Sequence, residues 1–239
     1  MKKRYEKNLS AFSEEEINKL HYLKICIIGC GGLGGYIAEE MARTGIGTIT
    51  LVDGDVFDES NLNRQTVCNE KNIGKKKASE TKKRIEQINS EVEVTAIDEA
   101  ADEKNSKEIL EDCDIVFDAV DSIPARMLIE KKAEEAGVPL VHGAVNGWYG
   151  QVCVTYPGDR IIEKIFSDGA AAAVNTKEGD RHGNEGAEAG APAFTPAAVA
   201  SVQTAEGIKV LLKKGSILRK KLLTMDLMEQ EYELIKLDG

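Results

Sequence analysis

Apolar residues along this chain gather into short unbroken runs set between amphipathic stretches. The runs at 24–28 (KICII), 48–52 (TITLV), 91–97, 114–119 and 139–144 read as strands covered on both faces. Residues 32–43, 75–89, 102–111 and 123–136 predict the helices between them, with Leu33, Ile37 and Met41 on one face of the first. Strand and helix in strict alternation predict an α/β, Rossmann-like, doubly wound parallel sheet.

The rhythm changes after Gly147. Residues 149–156 predict a strand close behind its predecessor, and Asn146-Gly147 is a hairpin signal, so antiparallel pairing is expected there. Residues 167–193 are rich in Gly, Ala, Asn and Glu and predict a mobile crossover loop. A last helix over 196–213 is expected to present positions 198, 202, 205, 208 and 212 on one face. Residues 222–227 and 232–237 predict a closing hairpin, so antiparallel strands extend the sheet. The first 23 residues read as a helical lead-in, with a capping box beginning at Ser13. Residues 24–239 then form a single nucleotide-binding domain.

Composition narrows the functional classes. The net charge of −10 over 239 residues argues against nucleic acid as a partner, because such binding rests on neutralising phosphates over a basic surface. Any phosphate site must be a local island of positive charge. Five cysteines without a C-x-x-C pair imply reduced thiols, a cytoplasmic location and no structural zinc. No apolar run reaches the roughly 20 residues of a membrane span, so no membrane partner is expected.

The chemistry is concentrated at strand ends. Gly29, Gly31, Gly32 and Gly34 form a glycine turn between the first strand and the first helix of the alternation, the arrangement of a nucleotide-binding turn. Asp53 closes the second strand, roughly twenty residues past the last glycine, where a ribose-binding acid belongs. Taken alone, the turn and the acid also suit NAD. The polar cluster Ser60-Asn61-Leu62-Asn63-Arg64-Gln65 points to a nucleoside triphosphate instead. Arg64 offers a planar fork of donors to phosphate oxygens, and Asn61 and Gln65 can bond ribose or phosphate. Lys77 at the next helix start can reach phosphates, while Lys75 and Lys76 read as a solvated face. Asp121, just past the fourth strand, is a natural Mg²⁺ ligand beside a triphosphate. His142 reads as a satisfied core histidine, Trp148 and Tyr149 as packing near a turn, and Cys30 as a space-filler.

As a set, Gly-x-Gly-Gly-Leu-Gly, Asp53-x-Asp55, Ser-Asn-Leu-Asn-Arg-Gln, Lys77 and Asp121 resemble the MoeB/ThiF family, relatives of the ubiquitin-activating enzymes. The resemblance runs from about Arg4 to Gly215. It implies an adenylyltransferase that binds Mg·ATP, activates the C-terminal Gly-Gly carboxylate of a ubiquitin-like sulfur carrier of the molybdopterin or thiamine type, and releases pyrophosphate. By the same resemblance Asp53 binds ribose, Arg64 and Lys77 bind phosphates with Asn61 and Gln65 in support, and Asp121 holds Mg²⁺. Asp55 is a second acid near the nucleotide, and a homodimer is implied.

Four features depart from that pattern. The zinc-binding C-x-x-C pairs of many relatives are missing. Residues 157–239 contain no cysteine, so adenylation without a loop-cysteine covalent step is expected. Lys7 stands where relatives place an arginine, and Ser122 replaces the commoner Asn after the metal-site Asp. Three other functions stay open: a nucleotide- or carrier-binding protein without turnover, a tRNA-carboxylate-activating dehydratase, and an NAD-dependent oxidoreductase.

Overall fold

The computed structural model describes residues 2–167 and 190–237. The predicted crossover loop falls almost wholly outside the described residues. Within them the strands are β1 (Lys24–Ile28), β2 (Thr48–Val52), β3 (Glu93–Ile97), β4 (Ile115–Asp118), β5 (Leu140–Asn146), β6 (Tyr149–Thr155), β7 (Lys221–Asp226) and β8 (Glu231–Lys236). The helices are α1 (Glu14–Leu20), α2 (Gly34–Thr44), α3 (Lys77–Ile88), α4 (Ser106–Ile109), α5 (Ile123–Ala136), α6 (Ile161–Ser167) and α7 (Phe194–Leu212).

One eight-stranded sheet runs in the order β3-β2-β1-β4-β5-β6-β7-β8. The first five strands are parallel, and the last four pair antiparallel. β1 shows why its sequence is apolar throughout. Ile25 and Ile27 face one core with Ile37, Met41, Phe117 and Val199, and Cys26 and Ile28 face a second core with Ile129, Ala133 and Leu140. Fully burying one such side chain is worth about 1.5–3 kcal/mol.

Several boundaries move from the sequence reading, each for a local reason. α4 is four residues long because Asp102 accepts the amides of Lys104 and Asn105 at 2.8 and 2.9 Å, spending the expected first turn on an Asx turn. β3 starts at Glu93, because a turn from Asn89 to Val92 precedes it. In the first hairpin Asn146 pairs with Tyr149, so the turn is Gly147-Trp148, with Gly147 at φ +57. The buried face of α7 is rotated from the expected one. Val199, Ala200, Gln203, Gly207, Val210 and Leu211 are buried together with the expected Ile208, while Ala205 is exposed. Gln203 bonds the Asp118 and Val141 carbonyls, and a Cβ at Gly207 would lie 2.3 Å from the Phe117 ring, so polar and small residues define the contact stripe. The short helix α6 was not expected. It buries Ile161, Ile162 and Ile165, and Glu130 of α5 accepts its Ile162 and Glu163 amides at 2.8 Å each.

Candidate active site

β1 and β4 are neighbours whose connections leave the sheet in opposite directions, and a crevice opens beyond their carboxyl ends, as it does in other open α/β sheets. A cleft of about 350 Å³ lies there. The glycine turn, Asp53, Asp55, Arg64, Gln65, Lys77, Asp121, Arg126 and Pro196 are among its lining residues.

Two glycines of the turn are demanded by the fold. Gly29 has φ +96, and a Cβ there would lie 2.5 Å from the Ala119 carbonyl; one at Gly34 would lie 1.8 Å from the Gly29 carbonyl. Gly31 and Gly32 are different. Their Cβ atoms would meet side chains alone and at ordinary contact distances, nearest Gln65 Nε2 at 3.5 Å and Pro196 Cβ at 3.4 Å, so glycine at these two positions keeps the cleft open. α2 begins at Gly34 with no side-chain cap, and its first amides supply partial positive charge at this end of the cleft.

Asp53 is tied to both neighbouring loops. One carboxylate oxygen accepts the Cys30 amide at 2.7 Å and the other the Asp55 amide at 2.8 Å. Each oxygen keeps acceptor capacity for a further donor. Lys77 is the first residue of α3, and its amide donates to the Asp55 carbonyl at 3.1 Å. Its side chain is 10% exposed and its Nζ lies 3.0 Å from the Asp55 carboxylate, which is 73% exposed. Arg64 donates from Nη1 to the Ser60 carbonyl at 3.0 Å and to Asn63 Oδ1 at 2.9 Å, so that nitrogen is held by its own loop. Gln65 is buried and its Oε1 has no partner among the described residues. Asp121 is exposed and makes no hydrogen bond or ion pair among the described residues.

Asn61 stands apart from this group. It is buried outside the cleft lining, and its Oδ1 accepts the Asp58 amide at 3.1 Å, closing a capping box that shapes the loop carrying Arg64. Lys7 is also remote. Tyr5, two residues earlier, packs on Gly45 and accepts a hydrogen bond from Asn89 at 2.8 Å, at the end of the sheet opposite the cleft.

Sequence reasoning passed over the buried polar group beneath the cleft. Arg126 of α5 donates to Asp118 at 3.0 Å, to the Gly143 carbonyl at 2.7 Å and to the Val120 carbonyl. His142 Nδ1 lies 2.6 Å from the same Asp118 oxygen, and its Nε2 lies 3.1 Å from Gln151 Nε2. Burial pushes the His142 imidazole below its ordinary value even though Asp118 pulls the other way. Burial alone would raise the Asp118 carboxyl, yet the Arg126 charge and the His142 hydrogen bond together hold it below the usual carboxylate range. We therefore assign a neutral imidazole that donates from Nδ1 to Asp118 and accepts from Gln151 at Nε2. The only early signal for this group was a histidine in an apolar strand.

No three His, Cys, Asp or Glu side chains among the described residues gather closely enough to hold a metal by themselves. Asp121 suits Mg²⁺ in another way: it offers a hard, unpaired carboxylate, and nucleotide phosphates and water usually complete such a sphere.

A doubly wound sheet with an uncapped helix end, an arginine, a lysine and an exposed carboxylate in one crevice has the charges that suit a nucleotide's phosphates. The chain belongs to the ThiF family, whose sequence profile matches residues 5–239. It is 33% identical over 224 residues to a molybdopterin-synthase adenylyltransferase of Haemophilus influenzae, covering 92% of this chain and 87% of that one. It is 32% identical to a sulfur carrier protein adenylyltransferase of Thermus thermophilus, covering 90% and 78%. It is also 30% identical to the SAMP-activating enzyme E1 of Haloferax volcanii, covering 89% and 76%. Among solved structures, E. coli MccB with ATP superposes with a TM-score of 0.78 at 22% identity, covering 99% of this chain and 72% of that one, which shows a shared fold.

Proposed function

We propose that the protein is an ATP-dependent adenylyltransferase that activates the C-terminal glycine carboxylate of a ubiquitin-like sulfur carrier and releases pyrophosphate. The observation that carries this reading is the convergence of Arg64, Lys77, Asp53 and Asp121 on one cleft beside an uncapped helix end. Membership of the ThiF family and the names of the relatives support it, and family membership favours ATP over NAD.

The chemistry is governed by charge. A carboxylate must approach an α-phosphorus surrounded by anionic oxygens, so repulsion is the main obstacle. Arg64 and Lys77 draw charge from the phosphate oxygens and stabilise the departing pyrophosphate. Asp53 and the unpaired Gln65 Oε1 receive ribose hydroxyls. Asp121 holds Mg²⁺, which neutralises further phosphate charge when bound. The attacking carboxylate is already ionised at neutral pH, so no general base is required, and the neutral buried His142 takes no part in proton transfer. Asp55 gives up part of its hold on Lys77 as the phosphates arrive. Lys7 lies too far from its own cleft to serve it, so any contribution there comes from a second copy in a homodimer.

The test is to mix the protein with Mg·ATP and candidate carriers ending in Gly-Gly, then record the intact mass of each carrier. A carrier bearing AMP supports the proposal. Tight ATP binding with no adenylate on any carrier would support a binding protein without turnover, and ATP cleavage stimulated by tRNA would move the assignment to tRNA-carboxylate activation.

A further inference from the structure

Besides its bonds to Gly143 and His142, the Arg126–Asp118 pair holds one short piece of backbone at the floor of the cleft. Asp118 Oδ1 accepts the Val120 amide at 3.2 Å, and Arg126 Nη2 donates to the Val120 carbonyl. The peptide groups on both sides of Val120 are thus pinned by the two halves of one buried ion pair. Asp121 follows at once. Ser122 then caps α5, its hydroxyl accepting the Ala125 amide at 3.4 Å. Asp121 therefore sits between two fixed points and lines the cleft, its carboxylate unpaired among the described residues.

Packing alone does not account for this arrangement. Arg126 is 5% exposed and Asp118 fully buried. Removing two such charges from water is costly, and apolar residues of similar volume often stabilise a core as well or better. The pair does what apolar residues cannot do: it bonds carbonyls on two adjacent strands, that of Val120 just past β4 and that of Gly143 midway along β5, and fixes the backbone that carries Asp121. The side chain of Arg126 lies back over the first turn of α5, the direction expected of a long helical side chain, which brings its guanidinium to those carbonyls.

We infer that Arg126, with Asp118, is a positioning residue for nucleotide-bound Mg²⁺: it acts through the Val120–Asp121 backbone and aims the Asp121 carboxylate. The inference rests on the proposed adenylation site. Mg²⁺ demands near-ideal octahedral geometry, so a small displacement of one carboxylate lowers metal affinity without touching the other nucleotide contacts.

The experiment is calorimetric titration of the full-length protein with a non-hydrolysable ATP analogue, with and without Mg²⁺. Arg126→Lys keeps a positive charge beside Asp118 but cannot bridge both carbonyls. It is expected to raise the Mg²⁺ concentration for half-maximal nucleotide binding about tenfold, while metal-free nucleotide affinity stays within about twofold. In an Asp121→Asn background the same change should add less than about twofold, because two residues acting through one contact are not additive. The double variant Asp118→Asn/Arg126→Gln removes both charges together and serves as the second probe, with the same expected loss. A folded Arg126→Lys or double variant with unchanged Mg²⁺ dependence would overturn the inference, as would losses that multiply fully with Asp121→Asn. Absence of Mg²⁺-enhanced nucleotide binding in the unmodified protein would instead overturn the adenylation reading itself.

Discussion

The Lys77 ammonium lies 3.0 Å from the Asp55 carboxylate at the edge of the cleft, so the cation assigned to the phosphates already has an anionic partner before nucleotide arrives. Phosphates must share or displace that partner. Because Asp55 is 73% exposed, solvent screens the pair and its net worth is small, about 0.2–1 kcal/mol. Asp55→Asn is therefore expected to tighten ATP binding about two- to fivefold in calorimetry. Lys77→Ala should weaken it. Weaker ATP binding by Asp55→Asn would show that Asp55 itself supports the nucleotide.

The four glycines of the turn should separate into two classes. Gly34→Ala forces a Cβ to within 1.8 Å of the Gly29 carbonyl and should cost several kcal/mol of stability, on the order of a severe overpacking. Gly31→Ala meets its nearest neighbour at 3.5 Å, so it should melt close to the unmodified protein and yet bind ATP about tenfold more weakly. Melting curves paired with ATP titration check both. Equal behaviour of the two variants would contradict the division.

Trp148 is the single tryptophan of the chain, and its ring packs on Phe194 at a centroid distance of 4.5 Å. Phe194 lies two residues before Pro196, which lines the cleft. Carrier or nucleotide entering the cleft should therefore change the tryptophan emission, and Phe194→Ala should alter the signal. Unchanged emission in a sample that calorimetry shows to be saturated would remove Trp148 from the neighbourhood of the bound substrates.

Burial keeps the folded His142 imidazole below its ordinary value, so at mildly acidic pH the unfolded chain holds a proton that the folded one does not. Stability then rises with pH through that window, is fully present above about 6.5 and is lost below it, with a slope of at most about 1.4 kcal/mol per pH unit for one proton. Glu130, pushed up by burial, works in the opposite sense, losing its contribution as pH rises through its folded value. His142→Gln should remove the first contribution and leave the second. Urea midpoints at pH 7 and pH 5.5 check this, and an unchanged difference between them in the variant would contradict the assignment of a neutral imidazole.

The nucleotide side of the cleft was legible in the chain because its residues are local in sequence. A buried strand, a glycine turn and Asp53 form one contiguous unit, and the loop carrying Arg64 and the helix start at Lys77 follow it. Arg126 was not legible. An arginine in an amphipathic helix reads as solvated, and its partners Asp118 and Gly143 lie 8 and 17 positions away on other elements. The face of α7 was misjudged for a related reason, since Gln203 and Gly207 bury themselves through a hydrogen bond and a close ring contact that hydrophobic periodicity does not register. Asn61 sits in the motif that revealed the cleft, yet its side chain is used to build the loop.

Pyrophosphate exchange into ATP in the presence of a Gly-Gly-tailed carrier tests the central claim most directly. Exchange should appear only when carrier is added, and Arg64→Ala or Asp121→Ala should each reduce it about a hundredfold, the scale of one preorganised charge donor. Exchange at the unmodified rate in both variants, or exchange without any carrier, would contradict the account.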